Sequence, residues 1–278
     1  ETPTTADNCS VSSVTNNAPT TFPLGSTTVT WTVTDGSGNS ATATQTVTVT
    51  DNIKPLVTAP NTIALQCPGE LPLAATTISA FNSLAGTSAT DNCTATSGLT
   101  VSSSTIITSP GNCNGVITRT YIITDANSNS QSVNQVFTIN DTTKPIVVAP
   151  TTVDLECSGD LPAAVTTIAA FNTLLGAAAS DNCTPTANLI VTSTTGALIG
   201  DAYSGSITRT YTITDNCGNK TNVNQLYTIS DNTNPIAKCQ NISVTLNTYG
   251  FATITVNQID NGSTDNCGIF SIEASRLV

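Results

Sequence analysis

Apolar and β-branched residues of this chain gather in short runs separated by clusters of Asp, Asn, Ser and Gly. Residues 115–124 (GVITRTYIIT) and 131–140 (QSVNQVFTIN) are rich in Thr, Val and Ile and flank a turn-rich DANSNS, the pattern of a long β-hairpin. Weaker runs at 62–66 and 98–103 add strands. One helical pattern interrupts them, TTISAFNSLAG at 76–86, and it returns as TTIAAFNTLLG at 166–176. Ile78, Phe81 and Leu84 fall on one face, a Thr precedes them as N-cap, and Gly86 follows as a stop. The pattern predicts a short helix that covers the edge of a β-sandwich.

That pattern belongs to an internal repeat. Cys67 recurs at Cys157, Asp91-Asn92-Cys93 at Asp181-Asn182-Cys183, Thr118-Arg119-Thr120-Tyr121 at Thr208-Arg209-Thr210-Tyr211, and Asp141 at Asp231. Every offset is 90 residues, without a gap. The expected fold is all-β: tandem Ig-like β-sandwich modules of about ninety residues, each full module with one short helix, arranged end to end. Full modules are expected at 52–141 and 142–231, the C-terminal part of a preceding module at 1–51, and the N-terminal part of a following one at 232–278. Both ends fall inside a repeat and no signal peptide is recognised, so the sequence is expected to be a piece of a longer chain.

Composition narrows the function. Only 9% of the 278 residues are charged, which suits Thr-rich strands better than long solvated helices. The formal charge of −11 repels nucleic acid and anionic lipid and favours cations. No apolar run approaches the ~18 residues of a membrane span. With no histidine, Ser-His-Asp and Cys-His sites are excluded. The carboxylates recur with the repeat, which argues for structural duty rather than for a glycosidase pair. The chain is therefore not expected to be an enzyme. Thr-rich strands such as ATATQTVTVT could form an ice-binding array, but Thr is also the ordinary polar residue of a solvated strand. The Asn-Cys-Ser/Thr and Asn241-Ile-Ser243 sequons are weak glycosylation signals.

Three acidic positions recur: the Asp of Asp-Asn-Cys (Asp7, Asp91, Asp181, Asp265), the Asp opening the hairpin turn (Asp35, Asp125, Asp215), and the Asp closing the last strand (Asp51, Asp141, Asp231). Strand directions place Asp51, Asp91 and Asp125 at one junction and Asp141, Asp181 and Asp215 at the next. Two readings remain open. Asp and Asn form turns. Three carboxylates, with Asn92, Asn129, Asn182 and Asn219 beside them, also offer the oxygens that Ca²⁺ takes.

Nine cysteines without histidine point to disulfides in an oxidising compartment. Cysteines at equivalent places predict bridges within modules, Cys67–Cys93, Cys157–Cys183 and Cys239–Cys267, with Cys9 left over. Cys113 and Cys217 lie at opposite ends of their own modules, at the ends that face each other. They predict a bridge between modules.

Thr21-Phe22-Pro23-Leu24-Gly25, VTWTVTDGSGN and TVTVTD resemble the hyalin-repeat (HYR) type of Ig-like module. The C-x-G-[DE]-L-P starts, DNCT centres and ITRTYxITD strands resemble repeats of the SprB-type gliding-motility adhesins of Bacteroidetes. The piece AKCQNISVTLNTYGFATITV with DNGSTDNCGI is similar to another module of that phylum's secreted surface proteins. The resemblance implies an extracellular, cell-surface adhesin fibre in gliding motility or attachment, exported by type 9 secretion. Its partners would be an external surface or glycan and the cell-surface motility or secretion machinery. A passive stalk that spaces some other catalytic or binding domain is the competing expectation.

Overall fold

The computed structural model describes residues 2–109 and 113–274. Its first sheet is an antiparallel meander of β1 (Val11–Asn16), β2 (Gly25–Asp35) and β3 (Ser40–Val49). The strands are Thr-rich, and Val29 is the residue they bury most completely, at 2% exposure.

The next ninety residues hold β4 (Leu56–Thr58), β5 (Ile63–Leu65), α1 (Ile78–Asn82), β6 (Ser88–Thr90), β7 (Thr100–Ser109), β8 (Gly115–Thr124) and β9 (Ser130–Ile139). The sequence repeat then reproduces this order, with the short β14 added, as β10 (Ile146–Val148), β11 (Val153–Leu155), α2 (Ile168–Phe171), β12 (Ala178–Ser180), β13 (Ile190–Thr195), β14 (Ile199–Gly200), β15 (Ser204–Thr214) and β16 (Lys220–Ser230). In each copy a two-stranded sheet (β4-β6, β10-β12) accompanies a larger one, of order β5-β9-β8-β7 or β11-β16-β15-β13, with β14 beside β15. The fold is all-β with short helices. In 232–274 the described elements are α3 (Val256–Ile259) and the isolated bridges Ile236–Thr264 and Cys239–Asp260.

Alternation builds the core. Along β8 the buried positions are Gly115, Ile117, Arg119, Tyr121 and Ile123, every second residue, so one face of the strand is removed from water. Tyr121 and Ile123 pack with Phe81, Ala89 and Leu99, and Ile78, Leu84 and Val57 close the other side. Phe81 meets Tyr121 edge-on at 5.2 Å between ring centroids, and Phe171 meets Tyr211 at 5.3 Å. The helix is what brings the phenylalanine in. Thr77 caps it, accepting from the Ala80 N–H at 3.2 Å, and Thr167 does the same for Ala170. Glycines at positive φ follow, Gly86 at 84° and Gly176 at 79°.

The repeated Arg is an interior staple rather than a surface charge. Arg119 is 4% exposed, donates to the Pro72 carbonyl at 2.7 Å and to Thr105 at 3.2 Å, and lies over the Phe137 ring. Arg209 repeats this with Pro162, Thr195 and the Tyr227 ring.

Two compact units result. Residues 2–64, 71–109 and 116–138 make one; residues 65–70, 113–115 and 139–274 make the other. The short segments around Cys67 and Cys113 thus group with the residues that follow them, to which disulfides tie them.

Candidate functional site

Three disulfides join the described cysteines: Cys67–Cys183, Cys113–Cys217 and Cys157–Cys267, with Cα separations of 5.2, 5.1 and 5.1 Å. Cys113 and Cys217 are joined to each other. The expected Cys67–Cys93, Cys157–Cys183 and Cys239–Cys267 bridges are not formed. Instead the leading cysteine of one repeat takes the Asp-Asn-Cys cysteine of the next, and Cys9, Cys93 and Cys239 are free and exposed.

The reason is strand direction. β11 runs parallel to β16, with Val153 beside Tyr227 and Leu155 beside Ile229, so Cys157 emerges near Asp231 at the far end of the hairpin. Cys183 lies by the opposite end, where the Thr184 hydroxyl accepts from the Asn216 N–H of the hairpin turn. An 11-residue strand such as β16 spans roughly 35 Å. A disulfide tolerates about 7 Å between Cα atoms. Equivalent spacing in every repeat was therefore no sign of pairing inside it.

The acidic residues do converge. Asp51, Asp91 and Asp125 each present a carboxylate oxygen, all within 4.8 Å of one another, and Asp141, Asp181 and Asp215 repeat the group. Asp51, Asp125, Asp141 and Asp215 are buried, with exposures of 6%, 5%, 3% and 2%. Each aspartate follows a strand whose last residue is fixed by pairing. The chain then turns on the side chain itself: Asp51 Oδ1 accepts from the Ile53 N–H, Asp91 Oδ2 from Cys93 and Thr94, and Asp125 Oδ1 from Asn127 and Asn129. In the second group Asp141 Oδ1 accepts from Thr143, Asp181 Oδ1 from Cys183 and Thr184, and Asp215 Oδ1 from Cys217 and Asn219.

Four oxygens have no such partner. Asp51 Oδ2, Asp91 Oδ1, Asp141 Oδ2 and Asp181 Oδ2 are buried and accept no hydrogen bond. Burial holds the Asp141 carboxyl above the usual range; the Thr143 N–H opposes this, and the charges of Asp181 and Asp215 add to it. At Asp125 burial also pushes upward, but the Asn129 amide and backbone N–H groups outweigh it and the carboxyl is lowered. The Cys93 thiol is pushed up by burial and by the nearby Asp51 and Asp91.

The asparagines stand elsewhere. Asn129 Nδ2 donates to Asp125 Oδ2 at 2.8 Å and to the Asp51 carbonyl at 3.1 Å, and Asn219 does likewise with Asp215 and Asp141. These amides orient the carboxylates and offer a donor, not a ligand oxygen, at those contacts. Asn92 Nδ2 lies 3.0 Å from Cys93 Sγ, and Asn182 Nδ2 lies 3.0 Å from Cys183 Sγ and 3.4 Å from Cys67 Sγ. They face sulfur. At the third place, Asp231 and Asp265 meet Cys267, whose sulfur is bonded to Cys157, so two carboxylates stand there instead of three.

Two contributors were overlooked in the sequence. Thr94 and Thr184 tie the Asp-Asn-Cys loop to the hairpin turn, accepting from Ala126 and Asn216 at 3.2 Å. Gln66 and Glu156 hold the linker after the closing strand by accepting from the Thr142 and Asn232 N–H groups. The signal for the threonines was present: they recur at the repeat spacing directly after the cysteine.

Residues 1–49 match the HYR domain. HYR modules are Ig-like, extracellular and non-enzymatic. No curated protein sequence is matched. Among solved structures, the protocadherin GammaB4 extracellular domain is similar at 14% identity and TM-score 0.29, over 81% of this chain and 41% of that one. The human desmocollin-1 ectodomain is similar at 12% identity and TM-score 0.25, over 78% and 50%. The chain thus spans about half or less of these two ectodomains. Among the described residues no helix is long and apolar enough to cross a membrane.

Proposed function

We propose that this chain is a tension-bearing segment of an extracellular, cell-surface attachment array. Its modules would be displayed to an external surface or glycan and worked by a motility or secretion apparatus of the cell, as in gliding. The observation that supports this is the interlaced connectivity of Cys67–Cys183 and Cys157–Cys267. A pull on both ends enters at Cys67, crosses to Cys183, runs back to Cys157, and crosses again to Cys267. The covalent route between the outer cysteines therefore contains only the 26-residue separation of Cys157 and Cys183. The core hairpin β15–β16 lies outside it. A fibre that grips a surface while the cell moves needs such a limit on unravelling.

Stretching single molecules by their ends tests this. Between Cys67 and Cys267 the oxidised chain should extend to about 90 Å, and reduction should release about 600 Å more, at ~3.4 Å per residue. Full extension without reductant would contradict the proposal.

A further inference from the structure

We propose that Asp51, Asp91 and Asp125 bind one calcium ion, and that Asp141, Asp181 and Asp215 bind a second. The turn-forming and cation-binding readings of these residues do not compete, because the two oxygens of a carboxylate are used separately. At Asp51, Asp91, Asp141 and Asp181 one oxygen closes the turn, and the other is the buried oxygen without a partner. A turn former needs only the first. An aspartate more than nine-tenths buried with an unsatisfied oxygen, as at Asp51 and Asp141, is costly unless something positive faces that oxygen.

In each group the three carboxylates stand together, and in the first the Cys93 thiol is beside Asp51 as well. Like charges brought this close repel strongly, the more so where burial lowers the dielectric. Arg119 and Arg209, the buried cations of the two repeats, are committed to the Pro72 and Pro162 carbonyls. The donor set is all oxygen, which selects a hard cation. Among these, Ca²⁺ accepts irregular sets of protein oxygens, whereas Mg²⁺ demands near-ideal octahedral geometry and dehydrates reluctantly, so three buried carboxylates in one cluster suit calcium. Asn129 and Asn219 then act as positioning residues that hold the third carboxylate toward the site.

The site at Asp231 and Asp265 lacks the third carboxylate and has no unpartnered buried oxygen among those found, so the stoichiometry is two per chain and not three. This inference goes beyond the attachment reading and stands or falls without it.

Calorimetric titration of the oxidised chain with CaCl₂ after chelation should give two sites, in the range of about 0.1–1 mM known for extracellular modules. Asp51→Asn or Asp141→Asn, which nearly conserve shape, should each remove one site, or weaken it at least tenfold. Asp7→Asn, in the same turn motif but without a triad, should leave both. Magnesium should bind at least tenfold more weakly. Melting of the unmodified chain decides the matter even if a variant misfolds: its midpoint should rise with millimolar calcium. No heat and no rise would overturn the proposal, as would binding unchanged in both Asn variants.

Discussion

A carboxylate has two oxygens, and at Asp91 and Asp181 they do different things. The periodicity of Asp-Asn-Cys and the direction of the strands were enough to group Asp51 with Asp91 and Asp125. They were not enough to place Asn92 and Asn182, because an amide's partner depends on what the neighbouring repeat delivers, and here that is Cys67 beside Asn182. Thr184 shows how tightly the group is held. It is 2% exposed, and its hydroxyl accepts from the Asn216 N–H. Thr184→Val should strand that donor and cost about 1–3 kcal/mol in denaturant unfolding. The hairpin turn holds a second residue-scale test. Ser128 sits at φ 73° where the equivalent residues are Gly38 at 89° and Gly218 at 88°. A left-handed conformation costs an L-residue about 1–2 kcal/mol, less what glycine loses in the unfolded chain. Ser128→Gly should therefore raise stability by up to about 1 kcal/mol, read as a higher denaturant midpoint.

At the scale of elements, the hairpins and the helix starts were readable because they rest on local chemistry: β-branched runs, a turn cluster, a Thr cap. The helices are shorter than their pattern, Ile78–Asn82 and Ile168–Phe171. So few residues do not sustain a helix alone. After Asn82 the chain tightens, with the Leu84 N–H donating to the Phe81 carbonyl, and this turn carries Leu84 into the core. The helix exists to deliver Phe81 and Phe171. Phe171→Ala should cost about 3–5 kcal/mol, because Phe171 is fully buried against Tyr211. Arg209→Lys should also destabilise, by about 1–3 kcal/mol, since an ammonium cannot span Pro162, Thr195 and Tyr227 together. The composition gave no hint of that role: an Arg in a Thr-rich strand reads as a solvated charge until the loop at Pro162 is seen above it.

At the scale of the whole molecule, the cysteines show where periodicity misleads. A 90-residue repeat makes a pair within each repeat and a pair between successive repeats look identical in sequence. Only the parallel placement of β11 on β16, which sends Cys157 to the far end of the hairpin, separates them. Bridges closing loops of 116, 104 and 110 residues restrict the unfolded chain strongly, by about 5 kcal/mol each in the chain-entropy model. The most direct test is digestion of the unreduced protein with a protease that cuts before aspartate, followed by mass analysis. That cleavage separates peptide 51–90, carrying Cys67, from 91–124, carrying Cys93 and Cys113, and from 181–200, carrying Cys183. The structure requires 51–90 joined to 181–200, 154–159 joined to the peptide that begins at Asp265, and an alkylatable Cys93. Peptide 51–90 joined to 91–124, with 181–200 joined to 154–159, would contradict it.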